Sequence, residues 1–120
     1  MSLATILIED SKTIRDNLIP ALEFFLEAEV VAVGETVDQA LEMLSANGWR
    51  LAVVDLFLKE GSGLTVLRAV GNRSSEQHVV VLTNYPTPDM RARCLALGAD
   101  AVFDKSTELE LFFEHCQRYR

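Results

Sequence analysis

The stretch LAVVDLFLKEGSG, Leu51 to Gly63, carries the most structural information in the chain. Its first four residues are apolar and valine-rich with no polar residue in alternation, the pattern of a strand buried on both faces of a parallel sheet. Asp55 comes at once after them, then a short turn, then the helically spaced Leu64, Leu67 and Val70. An acid that directly ends a buried strand needs a reason, because burying an unpaired charge is costly.

The same strand-then-helix unit repeats on either side. Apolar runs at Thr5–Ile8, Val30–Val33, Val79–Leu82 and Ala101–Phe103 read as four more strands. Between them lie helical stripes: Ile14, Leu18, Leu22, Phe25 and Leu26 (with Pro20 as an interior defect), then Val37, Leu41 and Leu44. Met90, Cys94 and Leu97 form another, and Leu109, Phe112, Phe113 and Cys116 the last. Gly48 and Gly98 read as helix C-caps, Thr36 as an N-cap, and Thr107 with Glu110 as a capping box. The 120 residues suit one domain, and the order βαβαβαβαβα predicts an open three-layer α/β/α sandwich with a mainly parallel sheet. The pattern leaves the order of the strands open.

The polar residues at the strand ends point to chemistry. The first strand runs into Glu9 and Asp10, the third into Asp55, the fourth into Thr83 and the fifth into Lys105. Parallel strands direct their carboxyl ends to one edge, where ligands bind. Three carboxylates there repel one another, and a hard divalent cation such as Mg²⁺ relieves this. Glu9, Asp10 and Asp55, with the Phe57 carbonyl, are the expected metal ligands. A carboxylate can attack phosphorus, so Asp55, on the central strand, is the candidate phosphoacceptor. Thr83 and Lys105 are the candidates to hold phosphoryl oxygens. Taken alone, Glu9–Asp10 would read as a helix cap, and Lys105 as a solvated lysine.

Composition bounds the alternatives. Eleven basic against 18 acidic residues give a net charge of −7, which argues against direct nucleic-acid binding by this domain. No apolar run approaches the ~20 residues of a membrane span. Glu9, Asp10 and Lys12 interrupt any leader, so a cytoplasmic protein with no membrane partner is expected. Cys94 and Cys116 have no metal-ligand spacing and read as helix-face thiols. Trp49 is expected near the second helix, Phe112 and Phe113 under the last. His78, His115 and Asp104 read as structural or surface residues, and Arg91 and Arg93 as solvated charges or part of a docking face.

ILIED at the first strand, VVDLFLKEGSG around Asp55, VLTN at the fourth strand and LGADAVFDKS at the fifth resemble the receiver domains of two-component response regulators, of the chemotaxis-regulator kind. Gly63 stands eight residues past Asp55, where that family has its glycine. The resemblance spans essentially the whole chain. It implies a flavodoxin-like fold with a five-stranded parallel sheet of order 2-1-3-4-5. It also implies Mg²⁺-dependent phosphoryl transfer from a histidine-kinase phosphohistidine to Asp55, in a signalling switch and not a metabolic enzyme.

The partners then expected are a sensor histidine kinase or phosphotransfer protein, a downstream protein target and a phosphorylation-dependent homodimer, with no output domain after Arg120. Against the family pattern, Ser106 replaces the proline after the lysine. A cis bond there would cost about 3–4 kcal/mol, which favours a trans peptide and a shifted Lys105. Lys59 replaces another proline. Val102 takes the place of a switch aromatic, and Phe103 should face the opposite side. Asn84 replaces a small residue, and Phe57, Asn84 and Tyr85 are the expected gate around the phosphoryl group. Bulk at Phe57 and Tyr85 should slow self-dephosphorylation. A phosphorylation-independent interaction module is the alternative reading. A flavodoxin-like cofactor binder is disfavoured, because EDSK would set carboxylates against a cofactor phosphate.

Overall fold

Runs of valine, isoleucine and leucine become strands here because β-branched side chains pack well on a pleated surface covered on both faces. The computed structural model describes residues 2–84 and 86–120. The strands are β1 (Leu3–Ile8), β2 (Ala28–Gly34), β3 (Leu51–Val54), β4 (His78–Thr83) and β5 (Ala101–Asp104). The helices are α1 (Lys12–Leu26), α2 (Val37–Leu44), α3 (Gly63–Ala69), α4 (Pro88–Ala96) and α5 (Leu109–Cys116), with a 3-10 turn at Gln117–Tyr119 after the last. The four pairings between strands are parallel, and the strand order is β2-β1-β3-β4-β5, as the resemblance implied.

Alternation within each strand splits the core. Ile6, Ile8, Ala52, Val54, Val79 and Val81 pack towards α2, α3 and α4. Leu7, Leu51, Val53, Val80 and Leu82 pack towards α1 and α5. Val102 and Phe103 fall on opposite faces, as alternation requires. Trp49 is buried and donates its indole N–H to the Leu44 carbonyl at 3.1 Å, beside α2. Cys94 and Cys116 are buried free thiols on opposite faces of the sheet, and burial pushes Cys116 up to about 12. Among the described residues, no helix is long and apolar enough to cross a membrane.

Several boundaries move. β3 keeps its expected bounds, whereas the other four strands outrun their apolar cores by one or two residues, because ladder hydrogen bonds need only backbone. Ser11 and Thr36 cap α1 and α2, accepting from Ile14 N and Gln39 N at 3.3 and 3.2 Å. The Thr107–Glu110 box does not form: α5 starts later, at Leu109, with Glu108 preceding it. Gly98, at φ +104°, directly follows the α4 cap, but Gly48 lies three residues past the Ser45 that caps α2. Pro20 stays within α1 on its exposed side, where water can reach the carbonyl that its missing N–H leaves free.

Candidate functional site

The carboxyl ends of β1, β3 and β5 continue their ladders by one bond each, and those bonds aim the polar side chains. Glu9 N donates to the Gly34 carbonyl at 2.9 Å, Asp55 N to Ile8 at 3.0 Å, and Lys105 N to Thr83 at 2.8 Å. Glu9 and Asp55 are therefore buried at the edge where the strands point. Lys105 Nζ lies 2.5 Å from Glu9 Oε1 and 3.0 Å from Asp55 Oδ2, joining residues 96 and 50 positions away. The second oxygens are held as well, Glu9 Oε2 by Ser11 N at 3.0 Å and Asp55 Oδ1 by Phe57 N at 3.3 Å.

Burial pushes the Glu9 carboxyl up, and the hydrogen bonds from Lys105 and Ser11 pull it back only in part. Burial pulls the Lys105 ammonium down, but Glu9 and Asp55 outweigh that, and it stands raised. A protonated Lys105 between two carboxylates is the arrangement with the least unpaired charge. Glu9, Asp10 and Asp55 each offer an oxygen within 4.8 Å of the others. An all-oxygen, all-anionic donor set of that spacing fits a hard divalent cation.

Thr83 completes the edge. It is 0% exposed, and its hydroxyl has no hydrogen-bond partner among the described residues. Such an orphan is available to a ligand oxygen. Gly63 shapes the turn after Asp55, since a Cβ there would lie 2.3 Å from the Asp55 carbonyl oxygen. Gly63 N closes the turn onto the Leu56 carbonyl at 2.9 Å.

The remaining gate and switch residues are less uniform. The Phe57 side chain is 62% exposed, while its N–H is tied to Asp55. Asn84 Oδ1 accepts from the Ser106 hydroxyl at 2.9 Å, linking the loops after β4 and β5. Tyr85 lies outside the described residues. Val102 is buried in the core. No cis peptide occurs among the described residues, so Lys105–Ser106 is trans. The trans peptide, expected to come with a shifted Lys105, leaves Lys105 bonded to Glu9 and Asp55, and Asp104 Oδ1 accepts from Ser106 N and Thr107 N at 2.7 and 3.2 Å to turn the chain without proline.

Three other contacts escape a reading of local spacing. Asp104, read as surface charge, caps the turn after β5. Arg91 reaches the Val102 carbonyl at 2.9 Å and Glu108 Oε1 at 2.8 Å. Arg15 bonds the Glu9 carbonyl and Glu35. The Asp-x-Ser-Thr run could have signalled the turn. The arginine contacts join positions 6 to 20 residues apart and have no helical or strand periodicity to signal them.

Comparison with known proteins bears on the family and the fold. The family model for the response regulator receiver domain matches residues 5–117. The photosynthetic apparatus regulatory protein RegA of Cereibacter sphaeroides is 31% identical over 107 residues, covering 86% of this chain and 55% of RegA. The DNA-binding transcriptional activator DevR/DosR of Mycobacterium tuberculosis is 26% identical over 93 residues, covering 78% of this chain and 43% of its own. A DNA-binding response regulator of the LuxR family from Staphylococcus aureus superposes with a TM-score of 0.86 at 17% identity, covering 98% of each chain.

The chain spans about half the length of the curated relatives it matches. These relatives correct the expected partner set, which excluded nucleic acid, because two of the three are named as DNA-binding proteins. The net charge of −7 sums this chain alone and does not govern what a longer relative binds.

Proposed function

Because this chain belongs to the response regulator receiver domain family, we propose that Asp55 is its phosphoacceptor and that the domain works as a signalling switch. The observation that carries the reading is the buried triad of Glu9, Lys105 and Asp55 beside the orphaned Thr83 hydroxyl. An Asp55 carboxylate oxygen attacks the phosphorus of a histidine-kinase phosphohistidine. The P–N bond breaks, a P–O bond forms, and the leaving imidazole takes up a proton. Lys105 and Thr83 would hold the oxygens of the transferred group. Glu9, Asp10 and Asp55, with the Phe57 carbonyl, would hold Mg²⁺, which supplies charge neutralisation for the incoming phosphoryl group. The chain is read as one receiver module working in the cytoplasm.

The test is incubation with acetyl phosphate and Mg²⁺, then intact-mass measurement. The expected result is a gain of one phosphoryl group, absent in Asp55→Asn and absent when EDTA removes the metal. A second reading, a receiver fold that binds partners without phosphorylation, rests on Val102, which leaves the core position of a switch aromatic aliphatic. No Asp55-dependent mass gain would overturn the first reading in favour of the second.

A further inference from the structure

Arg15 lies on the first turns of α1, with its side chain only 17% exposed. One of its nitrogens, Nη1, donates to the Glu9 carbonyl oxygen at 3.0 Å and to Glu35 Oε2 at 2.8 Å. The first bond grips the backbone of the loop that carries Glu9 and Asp10. The second anchors that grip to the loop after β2. Glu35 is itself fixed, because its N–H donates to Gln39 Oε1 at 2.8 Å and its carbonyl accepts from Lys59 N at 3.3 Å. Val37 N donates to the Glu60 carbonyl at 3.0 Å, and Thr36 and Glu60 form a parallel bridge. The loop after β2 is thus stitched to the loop after β3, which carries Asp55 and Phe57.

From this chain of contacts we infer that Arg15 is a positioning residue for the metal-binding carboxylates, holding the Glu9–Asp10 loop in register with the Asp55 loop through Glu35. The inference rests on the reading of Glu9, Asp10 and Asp55 as a cation site. The physics gives it a sign. A guanidinium near the cluster repels a divalent cation, so removing its charge alone would tighten binding. Removing the grip lets the Glu9–Asp10 loop relax and weakens binding. Groups that orient metal ligands in this way typically affect affinity by about tenfold or more. Arg15 touches no expected ligand oxygen, so the two effects separate cleanly.

The experiment is calorimetric titration of the full chain with Mg²⁺, for wild type, Arg15→Ala, Arg15→Lys, Glu35→Ala and the Arg15→Ala/Glu35→Ala double variant, with urea unfolding of each in parallel. Arg15→Ala is expected to weaken Mg²⁺ binding about tenfold although a positive charge has left. Arg15→Lys should recover part of the loss, since an ammonium keeps the charge but lacks the planar fork. The double variant should lose no more than Arg15→Ala, because both changes cut one bridge. Wild-type affinity, or tighter, in Arg15→Ala overturns the inference, even if the variant is less stable to urea. So does a double variant whose losses simply add. Wild type that binds no Mg²⁺, or binds it equally well as Asp55→Asn, overturns the cation site and this inference with it.

Discussion

Thr83 is a residue whose side chain works against the resting protein. Its hydroxyl is buried and, among the described residues, unpaired, and a buried polar group left without a partner costs about 1–3 kcal/mol. Neighbouring Val81 and Leu82 show that the same strand tolerates apolar side chains on either face. On the proposed reading, a hydroxyl kept at such a cost meets a ligand oxygen only part of the time. Thr83→Val, which keeps the branched shape, is expected to raise stability by about 1 kcal/mol in urea unfolding. The same variant should shorten the lifetime or lower the yield of aspartyl phosphate on acetyl phosphate. Lower stability in Thr83→Val would mean that the hydroxyl has a partner in solution and is not an orphan.

At the scale of elements, the junction of β5 and α5 is the place where sequence and structure part. Thr107 and Glu110 have the spacing of a capping box, but Asp104 and Glu108 take over the local N–H groups. Asp104 N donates to Glu108 Oε1 at 2.9 Å, and the same oxygen accepts from Arg91 at 2.8 Å. One carboxylate therefore ties α4, the end of β5 and the start of α5 together. The Arg91 guanidinium and the Asp104 N–H hold the Glu108 carboxyl below the usual carboxylate range. A lowered folded pKa gives stability that is present above the ordinary value and lost as pH falls through the lowered one. Glu108→Gln should cost about 0.5 kcal/mol near neutrality, the size of a partly exposed ion pair, and the deficit should vanish in acid. Urea midpoints of both proteins, measured across the acid range, check this. A deficit independent of pH would assign the loss to packing.

At the scale of the whole molecule, strand ends are legible in sequence because a strand buried on both faces must stay apolar. The first polar residue after VVVL or LAVV therefore marks the sheet edge, and parallel pairing brings those marks together. Strand order and the arginine ties are not legible, since pairing between distant segments leaves no local periodicity. That is why Glu9, Asp55 and Lys105 could be picked out while Arg15, Arg91 and the Asn84–Ser106 link could not. The picked residues also bind the sheet to itself, because Lys105 from the end of β5 reaches acids at the ends of β1 and β3. Removing it leaves two buried carboxylates facing each other without a cation, a loss of about 3–5 kcal/mol for a broken buried pair. In Lys105→Met the Glu9 carboxyl, already pushed up by burial, loses the ammonium that pulls it back, so the variant should regain stability as pH falls from neutral to mildly acid. If the proposed cation site holds, Mg²⁺ at near-neutral pH should restore part of the same loss, because it would neutralise the same two carboxylates. Urea unfolding at both pH values, with and without Mg²⁺, reads both effects. A deficit that neither acid nor Mg²⁺ reduces would assign the loss to altered packing around the new side chain and not to the missing charge.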